Sequence, residues 1–164
     1  NGLTPPDRKS IRTLTKKKYH LYHFGRTEYF GSKRLAVARQ FEINQAMTTN
    51  AIAISSICSE VYQLFRVYFF RLTTKPREKC KNSFTNFDRS LMLMVTRSHH
   101  ANGTTFTFTH YLNCCQNLRE VLAVISEHDD TKRNTFIRHR TTELTARLNY
   151  QENQIDLLLG PSEN

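Results

Sequence analysis

Glycine, proline and long apolar runs are all scarce in this sequence. It has 5 glycines and 4 prolines among 164 residues, and the glycines are scattered along the chain. Scattered glycines do not form the glycine-rich loop that cradles phosphates, which argues against a nucleotide-binding loop. No apolar run reaches the roughly 18 residues that a membrane span requires, so we expect no membrane association. The remaining composition, 38% hydrophobic, predicts one domain with its own core.

Cysteine is also infrequent, and its spacing matches no metal or redox motif. The four cysteines are Cys58, Cys80, Cys114 and Cys115, without any CxxC pair. The adjacent Cys114 and Cys115 cannot easily pair with each other. We therefore predict reduced thiols that mostly fill the core, in a cytosolic or matrix-like compartment. The chain begins with Asn1 and has no secretory apolar segment, as expected if a targeting segment had been removed.

Residues for metal binding or catalysis do not occur in the settings that this chemistry requires. His20 and His23 lie in a strand-like run that directs them to opposite faces. His99 and His100 lie in a predicted turn without a cysteine or carboxylate at metal-ligand spacing. The serines before Glu60 lie on a predicted helix and not on the strand–turn–helix elbow of a nucleophile. The sequence therefore predicts no metal, no cofactor and no enzyme activity.

What the sequence does have is positive charge, concentrated in its first hundred residues. The net charge is +10 and the pI is about 9.7. Residues 1–100 carry 18 Lys and Arg against 6 Asp and Glu, whereas residues 101–164 carry 6 against 8. This asymmetry favours a polyanionic partner, since surface Lys and Arg displace the counterions condensed on phosphates. The alternative is a generally basic organellar protein whose charge only keeps it in solution.

Several segments have the alternation or composition of β-strands. The runs "YHLYHF", "RTEYF" and "SKRLAVARQFEI" are punctuated by Gly25 and Gly31, which is typical of a hairpin or meander. "RVYFFRL" has β character, and "LMLMV" and "TTFTFT" bracket a predicted hairpin turn at Asn102–Gly103. The link "TTKPREKCKNS" around Pro76 is predicted to be an exposed basic loop.

Three segments are predicted to be helical because their apolar residues recur every three or four positions. The first begins near Asn50, and the last ends at Gly160–Pro161. The middle helix is capped by Thr109. Its apolar stripe comprises Tyr111, Cys114, Cys115, Leu118, Val121, Leu122 and Ile125. Strands followed by a helix occur twice, before the last helix, so the predicted class is α+β with antiparallel sheets.

Basic residues adjoin aromatic residues on the strand-like segments, as in Phe24-Gly25-Arg26 and Phe70-Arg71. A sheet face with this composition presents rings on which bases stack and cations that hold phosphates. For any single ring, packing in the core is the alternative.

The order of these elements resembles the Whirly fold family, and most closely its kinetoplastid mitochondrial RNA-binding members, which associate with guide RNA. "YFGSKRLAVARQFEINQAM" followed by "SSICSEVYQLF" resembles the family's aromatic-basic turn, alternating strand and cysteine-containing segment. "LMLMV", the polar turn and "TFTFTHYLNCCQNLREVLAVI" resemble its last hairpin and second helix. The Lys-Gly-Lys-Ala-Ala-Leu run of the plant members has no counterpart, and "YHLYHFGRT" stands in its place.

The resemblance implies a Whirly-like fold of duplicated antiparallel β-sheet plus helix units, with a C-terminal helix. Residues 1–18 would be a basic arm, residues 19–130 the RNA-binding domain and residues 131–164 a C-terminal helical extension. In the mitochondrial matrix, the chain would form a heterotetramer with a related Whirly-like chain. It would hold guide RNA and mRNA through their phosphates across the sheets and promote RNA annealing in RNA editing. The expected RNA contacts are Lys16, Lys17, Lys18, Arg26, Lys33, Arg34, Arg39, Arg71, Lys75, Arg77, Lys79 and Lys81.

Two alternatives stay open at the level of sequence. "EINQAMTTNAIAISSICSEVYQLF" and "FDRSLMLMVTRS" also resemble the central helix and last strand of Alba-type RNA-binding proteins, although the region before Arg34 lacks that family's strand and helix. From a different class, the chain could be a structural accessory subunit of an organellar ribosome or another large assembly, since such proteins are often basic and poor in motifs.

Overall fold

A computed structural model of the chain describes residues 19–23, 26–97, 104–128 and 135–159. In these residues a two-stranded hairpin precedes four α-helices. The elements are β1 (His20–His23), β2 (Arg26–Tyr29), α1 (Lys33–Tyr68), a short 3-10 helix (Phe69–Arg71), α2 (Thr74–Arg97), α3 (Thr104–Glu127) and α4 (Thr135–Leu159). The predicted α+β class is therefore wrong, and the duplicated Whirly-like sheets on which RNA was expected to lie are not found in the described ranges.

Contacts between the helices show that each one runs opposite to the one before it. Tyr62 of α1 packs edge-on against Phe84 of α2, whereas Phe69, beyond the end of α1, lies under Arg77 at the start of α2. Ser83 and Phe87 of α2 contact Glu120 and Cys114 of α3, in reverse order. Arg39 and Glu60 of α1 likewise contact residues near the end and the beginning of α4. The described part of the chain is an up-down-up-down helical bundle.

The first part of α1, from Lys33 to Ile43, was predicted to be a strand and is helical. The Ser32 hydroxyl caps α1 by accepting a hydrogen bond from the Leu35 amide at 3.3 Å. On the helix, Ala36, Ile43 and Met47 share the buried face, while Leu35 and Phe41 are exposed. The prediction of a strand was wrong because exposed apolar residues lie close to buried ones in this part of the sequence. Together they give the apolar residues a period of two, which is the period of a strand. The strand character of "YHLYHF" and "RTEYF" is real, because β1 and β2 pair antiparallel with His20 opposite Tyr29.

The segment predicted as a β run and a basic loop contains the end of α1 and the start of α2. "RVYFFRL" is helical through the 3-10 turn, and Leu72, with ψ of 141°, is extended and ends it. Pro76 is the third residue of α2, whose first turn needs no amide donor at that position. A proline in this place is compatible with a helix, so "TTKPREKCKNS" is helical from Thr74 onward and not a loop.

The predicted hairpin around Asn102–Gly103 is wrong on both sides of its turn. "LMLMV" lies at the end of α2, and Thr104 is the first residue of α3, so Thr109 lies inside α3 and does not cap it. The turn itself lies outside the described residues. The buried face of α2 has helical spacing that two serines obscure. It comprises Cys80, Ser83, Phe87, Ser90 and Met94.

One hydrophobic cluster with contributions from all four helices forms the core. The stripe predicted for the middle helix is confirmed, since all seven of its residues are buried. The last predicted helix is also confirmed as α4, with Leu144, Leu148 and Ile155 buried in the same cluster. The described part of the segment expected as a C-terminal extension, residues 135–159, is thus the fourth helix of the bundle, and the predicted helix end at Gly160–Pro161 lies outside the described residues. None of the helices, over the residues described, is long and apolar enough to cross a membrane.

A half-buried ion cluster joins α1 to α4. Glu60 of α1 pairs with the guanidinium groups of Arg140 and Arg147, the latter at 2.5 Å, and Arg140 also pairs with Glu143 at 2.6 Å. Burial raises the pKa of Glu60, but the hydrogen bonds and charges of Arg140 and Arg147 outweigh it and hold the pKa below its ordinary value. The cluster therefore favours the folded state while Glu60 is ionised.

Replacing Leu118 by alanine should test the core directly. Leu118 is fully buried on α3, so Leu118→Ala removes apolar contacts and leaves a cavity. We expect the free energy of unfolding, measured by urea denaturation, to fall by about 2–5 kcal/mol. The matched control is Leu157→Ala on α4, where the side chain is 75% exposed and the change should be within about 0.5 kcal/mol. Equal effects of the two substitutions would contradict this packing.

The Glu60 cluster predicts a pH-dependent difference between the wild type and Glu60→Gln. A lowered pKa in the folded state stabilises the protein above the unfolded-state value of about 4.5, and this stabilisation disappears as pH falls through the still lower folded-state pKa. At pH 7 the variant should be less stable by about 1 kcal/mol. Urea titrations from pH 7 to pH 3 should show the difference shrinking below about 4.5. A difference that grows toward acid pH would contradict this assignment.

Candidate nucleic-acid interface

The turn between α1 and α2 gathers cations from two helices at one end of the bundle. We call this region the basic end. It comprises Arg66, Arg71, Lys75, Arg77, Lys79 and Lys81. Between residues 61 and 87 the only acidic residue is Glu78, so six cations face one carboxylate. This local excess of five positive charges equals half of the net charge of the whole chain, +10.

The basic end forms because only five residues separate the end of α1 from the beginning of α2. Arg66 lies in the last turn of α1, where a cation interacts favourably with the helix dipole. Lys75 and Arg77 lie in the first turn of α2, which contains no acidic residue. Cations at this end of a helix are repelled by the dipole, at a cost of about 0.3–1 kcal/mol each. An anion bound at the basic end would remove this repulsion.

Most of these cations have no carboxylate partner. Lys81 Nζ lies 3.6 Å from Glu78 Oε1, on the exposed surface. Among the residues that the structure describes, Arg66, Arg71, Lys75 and Lys79 form no ion pair. The Arg71 guanidinium lies 5.5 Å from the centre of the Tyr68 ring. The unpaired charges lie on the surface, where they are free to meet phosphates.

Arg77 differs from its neighbours because it holds the turn together. Its Nε donates a hydrogen bond to the Phe69 carbonyl oxygen at 2.8 Å, and its guanidinium lies 4.2 Å from the centre of the Phe69 ring. The side chain is half-buried. A planar guanidinium satisfies a carbonyl and stacks on a ring at the same time, which lysine cannot do. We therefore assign Arg77 to the architecture of the basic end.

Aromatic side chains form a groove beside the cations. The groove has a volume of about 500 Å³ and lies between the last turns of α1 and the middle of α2. Its aromatic lining comprises Tyr62, Phe65, Phe69, Phe70 and Phe84. Arg66 and Lys81 contribute to the same lining. Rings and cations therefore occur together, as they do where proteins bind single-stranded nucleic acids.

The expected RNA contacts divide into groups that lie far apart. Arg71, Lys75, Arg77, Lys79 and Lys81 meet at the basic end. Lys33 and Arg34 are exposed at the other end of α1, whose 36 residues span about 54 Å. Lys16, Lys17 and Lys18 lie outside the described residues, and Arg26 belongs to β2 without a described side chain. The predicted contacts thus do not form one continuous surface.

Arg39 is engaged by the protein itself. Its Nε donates to Glu28 Oε2 of β2 at 3.0 Å, and its Nη2 donates to the carbonyl oxygen of Leu158 of α4 at 2.8 Å. A third contact joins it to Glu42 of α1. With three partners and half-burial, this guanidinium links the hairpin, α1 and α4, and contact with RNA would disrupt those bonds.

Three features of the basic end were missed at the level of sequence. Phe65 and Phe84 line the groove but were not expected to contribute to a site, and Arg66 was not among the expected contacts. The spacing of Tyr62, Arg66 and Phe70, four residues apart, places them along one face of a helix and was the available signal. This helical spacing was overlooked because "RVYFFRL" has strong β propensity.

Burial keeps the thiols of the four cysteines protonated at neutral pH. Burial raises the pKa of Cys58, Cys114 and Cys115 to about 12 in each case, and that of Cys80 to about 11. All four are free thiols, and three of them are fully buried in the core. A thiol that stays protonated at neutral pH is a poor nucleophile, and the three fully buried thiols are also out of reach of solvent. Over the described ranges, no group of three or more His, Cys, Asp or Glu residues could hold a metal ion.

Comparison with protein-family models, with curated proteins and with solved structures found no significant match to this chain.

The role of Arg77 predicts that, among the cations of the basic end, its loss destabilises the fold most. Arg77→Ala removes the hydrogen bond to Phe69 and the stacked guanidinium, so the free energy of unfolding should fall by about 1–2 kcal/mol. Lys75→Ala, two residues away and exposed, should leave stability unchanged or raise it slightly, because it relieves repulsion from the helix dipole. Thermal denaturation followed by circular dichroism measures both. If the two variants unfold alike, Arg77 has no special structural role.

Proposed function

We propose that this chain binds RNA through the basic end, mainly by contacts to phosphates. The observation that carries the proposal is the convergence of six cations against one carboxylate at the turn between α1 and α2. RNA is the partner that was expected from the sequence. The proposed binding surface, however, is the turn between two helices and not a pair of sheets. The chain would act by neutralising and holding RNA, with no bond made or broken.

Three physical arguments support this proposal. The charges at the basic end come from neighbouring turns of two antiparallel helices, so their fields add at one place on the surface. Lys75 and Arg77 oppose the dipole of α2, which makes the free protein less stable than it would be with an anion bound there. The adjoining aromatic groove offers rings on which bases can stack.

A structural accessory subunit is the second candidate, and a separate groove favours it. This groove, with a volume of about 430 Å³, lies between α1 and α2. Its lining includes the apolar side chains of Met47, Ile52, Leu91, Met94 and Val95 and no charged residue. The segment of α1 from residue 43 to residue 59 is likewise uncharged. An uncharged surface on a chain of net charge +10 suits contact with another protein.

The proposal predicts that charge removal at the basic end weakens RNA binding more than equal removal elsewhere. The test is binding of a fluorescent guide-like RNA hairpin, followed by anisotropy across a salt series. The double variant Lys75→Ala/Lys79→Ala should bind at least about 10-fold more weakly at 0.1 M salt and show a salt slope lower by about 1–2. The matched control is Lys33→Ala/Arg34→Ala, which removes two exposed charges from the other end of α1.

Three outcomes of this experiment are distinct. A large loss in the first variant and a small one in the control would support binding at the basic end. Equal losses would mean that RNA responds to total charge, and the location would be wrong. Binding weaker than micromolar that neither variant changes would contradict RNA binding and favour the accessory subunit.

A further inference from the structure

The aromatic groove at the basic end has a floor of rings that pack against one another and a rim that is exposed to solvent. On the floor, Phe65 packs against Phe69 and Phe84, with ring centres 5.6 Å and 5.5 Å apart. These contacts pack the end of α1 and the turn after it against α2, so the three rings already have one another as neighbours. Anything that enters the groove therefore meets their outer edges and the residues of the rim.

Phe70 forms the open rim. Its ring stands nearly perpendicular to that of Phe69, at 88°, with ring centres 5.5 Å apart. The side chain is 86% exposed, so the ring is held by one neighbour and otherwise meets solvent. An aromatic residue in this state has an unfavourable environment in the free protein, and a flat ligand that stacks on it removes apolar surface from water.

Positive charge lies on both walls of the groove. Arg66 lines it from α1 and Lys81 from α2, while no carboxylate contributes to the lining. Lys81 Nζ also lies 5.6 Å from the centre of the Phe69 ring, which places its charge over the floor. A ligand that fits must combine a flat, uncharged part with negative charge on each side of it. One nucleotide of a single strand, with a phosphate before and after its base, has this composition.

We propose that the groove receives one unstacked base of a single-stranded RNA, which stacks on Phe70 while Arg66 and Lys81 contact the flanking phosphates. This inference rests on the proposed RNA binding and adds a preference to it. A base inside a duplex is paired and stacked on its neighbours, so it cannot enter the groove without loss of those contacts. The chain should therefore prefer single strands over duplexes of the same sequence.

Phe70→Ala tests the inference because it removes the stacking ring and keeps every charge. We expect single-stranded RNA, as a fluorescent 12-nucleotide probe, to bind about 5- to 150-fold more weakly to this variant. Its salt slope should be unchanged, because the phosphate contacts remain. Binding of the corresponding 12-base-pair duplex should also be unchanged. Phe70→Trp, which keeps a stacking ring, should bind the single strand at least as tightly as the wild type.

Val67→Ala is the matched control. Val67 lies on the last turn of α1, is 71% exposed and does not line the groove. It should bind both probes like the wild type, and circular dichroism should show that all variants remain folded. Equal behaviour of Phe70→Ala and Val67→Ala would overturn the inference, as would an equal loss of single-stranded and duplex binding in Phe70→Ala.

The experiment separates failure of this inference from failure of the proposed function. If RNA binding depends on Lys75 and Lys79 but not on Phe70, RNA binds at the basic end without a base in the groove, and only the inference fails. If neither probe binds the wild-type chain, both fail. Anionic phosphatidylserine vesicles form a further arm: Phe70-dependent binding to vesicles without binding to RNA would identify the groove as a membrane-surface site and overturn both.

Discussion

The burial of α3 among the other three helices is the interaction on which the rest of the structure depends. Its stripe from Tyr111 to Ile125 is buried throughout, and it packs most extensively against α2. Side chains of modest size make this close approach possible. Ser83 on α2 reaches Glu120 at 3.2 Å, and the Cys114 thiol lies 3.8 Å from the carbonyl oxygen of Phe87. The cysteine pair therefore serves packing, and its protonated thiols suit that role.

The position of α2 against α3 also fixes the start of α2 beside the end of α1. Cys80, which lies between Lys79 and Lys81 in the sequence, is buried, so core packing anchors the segment that displays Lys75 and Lys79. The Arg77 contacts to Phe69 complete the connection from the other side. The cations at the basic end thus lie on helical segments held by core packing, so little ordering of the backbone opposes binding of a ligand there.

Whether a helix could be predicted from the sequence depends on how its apolar residues are distributed around the helix. The stripe of α3 and the apolar positions of α4 had helical spacing and were predicted. In α1, exposed Leu35 and Phe41 flank buried Ala36 and Ile43, and the pattern imitates a strand. In α2, Ser83 and Ser90 occupy the buried face, so its hydrophobic period is interrupted. Tertiary contacts overrode local propensity in both, and the α+β prediction followed from these two segments.

The residues of the candidate site likewise divide into those that the sequence could indicate and those that it could not. Arg71, Lys75, Arg77, Lys79 and Lys81, which were expected as RNA contacts from the family resemblance, lie together because residues close in the sequence stay close in space across one tight turn. The sequence could not separate Arg77 or Arg39, which bind within the protein, from cations that face solvent, since that distinction depends on partners far away in the chain. The groove could not be predicted from the sequence either, because Phe84 contacts Phe65 only after α2 folds back on α1.

The bonds of Arg39 have a consequence for the polarity of the molecule. By joining β2 to the carbonyl oxygen of Leu158, they bring the first and last described segments to the same pole of the bundle. The basic end occupies the opposite pole, about 54 Å away along α1. A label, a surface tether or a fused domain attached at either of these segments would leave the basic end unobstructed. Distances measured between such a label and a bound RNA could be compared with the length of α1, since α1 is unbroken over its whole length.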